Sequence, residues 1–88
     1  MLEDILFIEG MRDYRRIHTL YKSIMTLQTF SELEQQLPPA QVCRVHKSYM
    51  VALSKIEAIE RGRIIIGAER IPISASYKDS FYKTIARQ

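Results

Sequence analysis

The stretch "QVCRVHKSYMVAL", residues 41–53, sets Arg44, His46 and Lys47 inside an apolar run of Val42, Val45, Tyr49, Met50, Val51 and Leu53. A plain core strand has no use for the cations, and a surface loop has no use for so much apolar surface. The pattern is that of a hydrophobic anchor holding basic and polar groups in place. Val42 to Val45 reads as a strand, while "HKSYMVAL", 46–53, is open between a helical turn and more strand.

Upstream, "TFSELEQQLPP" (29–39) changes period. Ser31 with Glu34 three residues on fits a capping box, and Phe30 just before that cap can staple onto the first turn. Leu33 and Leu37 fall one turn apart, and Pro38-Pro39 stop the helix after about two turns. Such a short helix is unstable alone and is expected to cover an edge or end of a sheet. Before it, "DILFIEG" (4–10) is a β-branched strand closed by Gly10, with Ile5 and Phe7 on one face and Leu6 and Ile8 on the other. "MRDY" is a turn, and strands over about 14–20 and 22–27 complete an antiparallel meander.

Downstream, "SKIEAIERGRIIIG" predicts strands over 55–60 and 63–66 about a turn at Arg61-Gly62. "RIPIS" is a last short strand that Pro72 assigns to an edge or irregularity. In "SASYKDSFYKTIARQ" the residues Tyr77, Phe81, Thr84 and Ile85 recur at helical spacing. Ser74 or Ser76 is the N-cap, with Asp79 near the positive helix end and Lys83 and Arg87 near the negative one. The expected fold is mainly β, antiparallel sheets with one short central helix and one C-terminal helix, in a single domain spanning 1–88.

Composition agrees with a folded domain: 47% of residues are hydrophobic and 26% charged. No apolar window is long enough to cross a bilayer, and "MLEDILFIEG" lacks the basic and apolar regions of a signal peptide. With Cys43 as the one cysteine, no internal disulfide can form, so a cytoplasmic setting is expected and Cys43 reads as a small buried hydrophobe. Cys43 and His46 at odd strand spacing suit neither a metal pair nor a nucleophile pair, and His18 is the only other histidine. The three glycines, 10, 62 and 67, are scattered at turns and make no phosphate loop. Hence no catalysis, cofactor or metal is expected.

Charge is more telling. From Arg61 onward, six cations (61, 63, 70, 78, 83, 87) face two acids, Glu69 and Asp79, and "MRDYRR" gathers Arg12, Arg15 and Arg16. Such clustering favours a polyanion, because each neutralised phosphate releases condensed counterions. The polar groups in need of a role concentrate in "GMRDYRR", "RVHKS" and "SASYK", all at turns or junctions, where a rigid scaffold presents contact residues.

Three blocks, "DILFIEGMRDYRRIHT", "FSELEQQLPPAQVCRVHKSYMVALSKIEAIE" and "IPISASYKDSFYKTI", together resemble the LytTR family of DNA-binding domains, from about Asp4 to Ile85. The resemblance implies an elongated antiparallel β fold whose loops, not a recognition helix, enter successive major grooves. It implies double-stranded DNA with tandem half-sites as the partner, a dimer on DNA, and an N-terminal receiver domain of a two-component response regulator in the full-length protein. Carried over by position, the contacts are Arg12, Asp13, Tyr14 and Arg16; His46, Lys47 and Ser48; and Ser74, Ser76, Tyr77 and Lys78. For His46 and Tyr77 a structural role competes with contact, and Tyr14 either packs on the sheet or presents its hydroxyl.

Two departures stand out. Ser76 replaces a frequent family arginine and cannot read guanine as a guanidinium does, leaving Lys78 or Arg70 to compensate. Ala52 stands where an asparagine is common. The alternative function is a protein-interaction module that pairs a partner strand at the β edge near "RIPIS".

Overall fold

Alternation along the central strands decides where the apolar side chains go. Met50 points to one face and Val51 to the other, and both are fully buried. The computed structural model describes residues 2–87. Over that span it has β1 (Ile5–Gly10), β2 (Arg15–Thr19), β3 (Ser23–Thr26), α1 (Phe30–Gln36), β4 (Val42–His46) and β5 (Tyr49–Ala52). After a 3-10 turn at Leu53–Lys55 come β6 (Ala58–Glu60), β7 (Arg63–Ile66), β8 (Glu69–Pro72) and α2 (Ala75–Ala86).

The first five strands form one antiparallel sheet in the order β3-β2-β1-β5-β4, and the last three form a second, β6-β7-β8. One core layer joins Ile5, Ile8, Phe30, Leu33, Val42, Met50 and Ala52, so α1 closes that face of the larger sheet. The other joins Phe7, Val45 and Val51 to Ile64, Ile66, Ile71 and Phe81, so the smaller sheet and α2 close the opposite face. Burial on both sides explains why β1 and β5 read as near-continuous apolar runs. The molecule extends 30 × 24 × 22 Å, so its elongation is modest.

The predicted strands and both helices are present, with four local differences. The pairing of β1 with β2 shifts register between Ile5 and Phe7. This bulge places Ile5 with Ile8 in one layer and Leu6 with Phe7 in the other, not in the strict alternation expected. Residues 46–53 resolve into a turn at 47–48 followed by strand β5, and the strand expected over 55–60 shortens to Ala58–Glu60 behind the 3-10 turn. Cys43 is half-buried against the second layer, not fully enclosed.

The fourth difference is the capping box. Thr29, not Ser31, is the N-cap: its hydroxyl accepts from the Glu32 N–H at 3.1 Å, and the Thr29 N–H donates to the Glu32 carboxylate at 2.8 Å. Phe30 is therefore the first helical residue, and its ring turns into the core. The turn at Arg61-Gly62 forms as expected, with φ of 54° and 75°, which suits a tight hairpin. Pro72 lies on β8, an edge strand.

Thr29→Ala is expected to cost about 1 kcal/mol of stability, whereas Ser31→Ala should stay within about 0.5 kcal/mol. Urea midpoints of the two variants measure the difference.

Candidate nucleic-acid interface

Arg44 organises the opening stretch. Its Nε donates to the His46 carbonyl at 2.9 Å and its Nη2 to the Lys47 carbonyl at 2.6 Å, so one planar group gathers both oxygens of the β4–β5 turn. Nη1 meets Glu34 of α1 at 3.3 Å. The guanidinium carbon also stands 4.2 Å from the Phe30 ring centroid and 5.4 Å from that of Tyr77. Charge-assisted hydrogen bonds and contacts of a cation with aromatic faces are among the stronger polar terms available to a small domain. Arg44 is thus a positioning residue that leaves the Lys47 side chain exposed, with no ion pair among the described residues.

Backbone hydrogen bonds tie the other two segments to this turn. The Gly10 N–H donates to the Ser48 carbonyl at 2.7 Å, which holds the β1–β2 connection beside it. A Cβ at Gly10 would lie 2.9 Å from the Phe30 ring and 3.3 Å from the Ser48 Cα, so a side chain here would have to displace the ring. On the other side, the pairing of β4 with β5 shifts register between Arg44 and His46. The bulged Val45 offers its carbonyl to the Ser74 N–H at 2.9 Å, which fixes the entry to α2. Segments 11–16, 46–48 and 74–78 are therefore linked in series through Ser48 and Val45.

Within the first segment, Arg12 and Asp13 are exposed, and the Met11 N–H to Tyr14 carbonyl bond of 2.8 Å closes the turn. The Tyr14 hydroxyl accepts from Arg16 Nη2 at 3.1 Å, so these two form one unit. Arg15 lies in the same run: its Nε donates to the Gln28 carbonyl at 3.0 Å and its guanidinium faces Phe30 at 5.9 Å. It belongs to the "MRDYRR" cluster but is not among the residues that the family resemblance carries over by position. In the second segment, His46 Nδ1 accepts from the Ser48 N–H at 3.1 Å and the ring meets Tyr49 edge-on at 5.6 Å. The half-buried His46 thus has a structural duty, with Nε2 left over.

At the third segment Ser74 occupies the N-cap position of α2 without capping it, and its buried hydroxyl has no partner among the described residues. Ser76 and Lys78 are exposed, and Tyr77 is half-buried against Arg44. His18, remote from these turns in the register, stacks on Phe7 at 4.3 Å and contacts Glu9 at 3.0 Å.

Burial pushes the Cys43 thiol from 9.0 up to about 11. The folded state holds this proton longer than the unfolded chain does, so stability is full below pH 9.0 and falls as pH rises toward about 11. Cys43→Ala should lose that part of the alkaline slope in denaturant titrations from pH 8 to 11 (about three units around the shift). Arg44→Lys keeps the charge but cannot bridge both carbonyls, and should cost about 1–3 kcal/mol. Amide exchange at 47–48 should rise in that variant. Gly10→Ala should destabilise by about 1–3 kcal/mol through overpacking against Phe30, read from its thermal midpoint.

The description of a LytTr DNA-binding domain matches residues 1–86 of the chain. A CO-responsive transcriptional regulator, RcoM of Rhodospirillum rubrum, is 35% identical over 57 residues, which are 65% of this chain and 24% of the regulator. The matched part is thus about a quarter of that relative's length. Among solved structures, the LytTr DNA-binding domain of a Bacillus cereus protein described as a methyl-accepting/DNA response regulator superposes with a TM-score of 0.85. It has 22% identity, and the superposition covers 96% of this chain and 83% of that one. A bulged, two-sheet β body with its polar turns joined in series, matched over nearly its whole length, places this chain in the LytTr DNA-binding domain family.

Proposed function

We propose that the domain binds double-stranded DNA sequence-specifically and controls transcription as the output domain of a two-component response regulator. The observation that carries the reading is the series linkage of three polar turns through Gly10–Ser48 and Val45–Ser74. It presents Arg12, Arg16, Lys47 and Lys78 without side-chain ion pairs among the described residues. Family membership supports DNA as the ligand.

Each segment has a distinct chemistry for the task. Arg12, Asp13 and the Tyr14–Arg16 pair form a first contact at the β1–β2 turn. Asp13 can accept from a cytosine amine, and either arginine can take a guanine edge or a phosphate. Lys47 and Ser48 enter with the Arg44-held turn, and His46 can add its Nε2 donor. The N-terminal N–H groups of α2 suit a phosphate, and Lys78 adds charge there, while Ser74, its hydroxyl buried, positions that helix end. Ser76 and the Tyr77 hydroxyl are neutral donors, so this third segment positions more than it reads guanine. Contacts spread over three turns suit successive major grooves, tandem half-sites and two copies on one duplex. An attached receiver domain would control that occupancy.

The β edge near "RIPIS" favours a protein partner less. Glu69, Arg70 and Pro72 stand on β8, and Arg70 lies 3.8 Å from Glu60. Charge and proline are devices that protect an edge from pairing.

Selection of bound duplexes from a random pool tests the reading. Enrichment of a short motif repeated at helical-turn spacing is expected, and a pool left unenriched contradicts it. With the selected duplex, log affinity should fall with log salt at about 0.9 per phosphate contact. Lys47→Ala should reduce the slope by about one unit or, if Lys47 meets a base, cost about 1–3 kcal/mol. Unchanged affinity and slope would remove Lys47 from the interface.

A further inference from the structure

Strand β3 is an edge, hydrogen-bonded only to β2. Unlike β8, it carries neither charge nor proline within the strand, and its short length is the one protection it has. Residues 23–31, "SIMTLQTFS", contain no charge and no proline. The apolar side chains around it face solvent: Tyr21 is 81% exposed, Met25 65% and Leu27 80%. With Tyr14 and Thr26, Met25 and Leu27 line a shallow open depression. An uncharged, apolar edge is a template for another strand.

The hairpin fixes which backbone groups are on offer. The Thr19 N–H donates to the Lys22 carbonyl at 2.8 Å, making 19 and 22 a hydrogen-bonded pair. Antiparallel alternation then turns the amides of Ile24 and Thr26 toward β2 and those of Ser23 and Met25 outward.

We infer that β3 is a self-association edge, which pairs antiparallel with β3 of a second copy across a two-fold axis at Met25. In this register Met25 faces Met25 of the second copy, Ser23 faces Leu27, and Lys22 faces Gln28, so every outward amide finds a partner. No cation opposes another. A second copy fits better than a foreign peptide because an uncharged segment has nothing with which to select an opposite charge. The same apolar side chains are complementary to themselves across the axis. A strand as short as Ser23–Thr26 buries far less than the roughly 1,200–2,000 Å² of stable complexes. The pair is therefore weak in free solution, with Kd on the order of 0.1–1 mM. It gains from any arrangement that holds two copies together at effective concentrations of about 1 mM.

Site-directed cross-linking of the DNA-free domain tests this independently of the nucleic-acid reading. A hydrogen-bonded antiparallel pair sets Cα atoms about 5.5 Å apart, within disulfide reach. Met25→Cys should cross-link to itself under mild oxidation. Ile24→Cys, whose nearest copy is a diagonal neighbour at about 7–8 Å, should do so several-fold more slowly. Both variants keep Cys43, so the unmodified protein is the blank. The reaction is run in about 1 M salt, where charge effects are screened. Sedimentation equilibrium up to about 1 mM should show dimer that Met25→Lys removes while leaving the thermal midpoint unchanged. Met25→Cys linking no faster than Ile24→Cys overturns the pairing, as does a sedimentation profile that stays monomeric or is unaffected by Met25→Lys.

Discussion

The hold of Arg44 on the β4–β5 turn is the constraint on which the polar face depends. A guanidinium offers a rigid planar fork, and here it satisfies two backbone carbonyls at once while resting between the rings of Phe30 and Tyr77. Those rings belong to the two helices, and Glu34 of α1 completes the contact. The turn bearing Lys47 is thereby registered against both helices. An ordinary loop of this size would lose that order to conformational entropy, and a lysine in place of Arg44 would supply only a point charge.

Around this hold, the body is divided so that rigidity and polarity do not compete. Two apolar layers, one under α1 and one between the sheets and α2, consume nearly all the hydrophobic side chains of the central strands. Of the residues on the polar turns, Arg12, Asp13, Lys47, Ser76 and Lys78 then stay exposed, while His46 and Tyr77 pack. The two bulges are part of the same economy. At Val45, the extra residue keeps its side chain fully buried while its carbonyl leaves the ladder and reaches Ser74. In the proposed reading, turns take the place that a recognition helix holds in helical DNA-binding domains.

Much of this was legible in the residues, and the exceptions have physical causes. Alternating apolar runs and the Arg61-Gly62 turn announced the strands and hairpins, because period and turn chemistry are local properties. The helix start was misplaced because both Thr29–Glu32 and Ser31–Glu34 satisfy the capping spacing. What separates them is the burial of the Phe30 ring, which is a tertiary fact. The bulge after Ile5 reversed the facing expected for that residue, since a single inserted position leaves no mark on composition. The sequence marks Arg44 only as a cation held inside an apolar run. Its bond to the Lys47 carbonyl depends on a turn that the residues 46–53 left open between helix and strand. The proposed contact segments were marked by polar clusters and by a resemblance spread over three blocks, while their linkage through Gly10 and Val45 could be seen only once the chain was folded.

Amide chemical shifts followed during titration with a selected duplex give the most direct test of a single face built from three turns. The account predicts that shifts concentrate in 11–16, 46–48 and 74–78 and saturate together, with β6, β7 and the exposed face of α1 undisturbed. Shifts confined to one segment, or centred on the smaller sheet with the three turns silent, would contradict it.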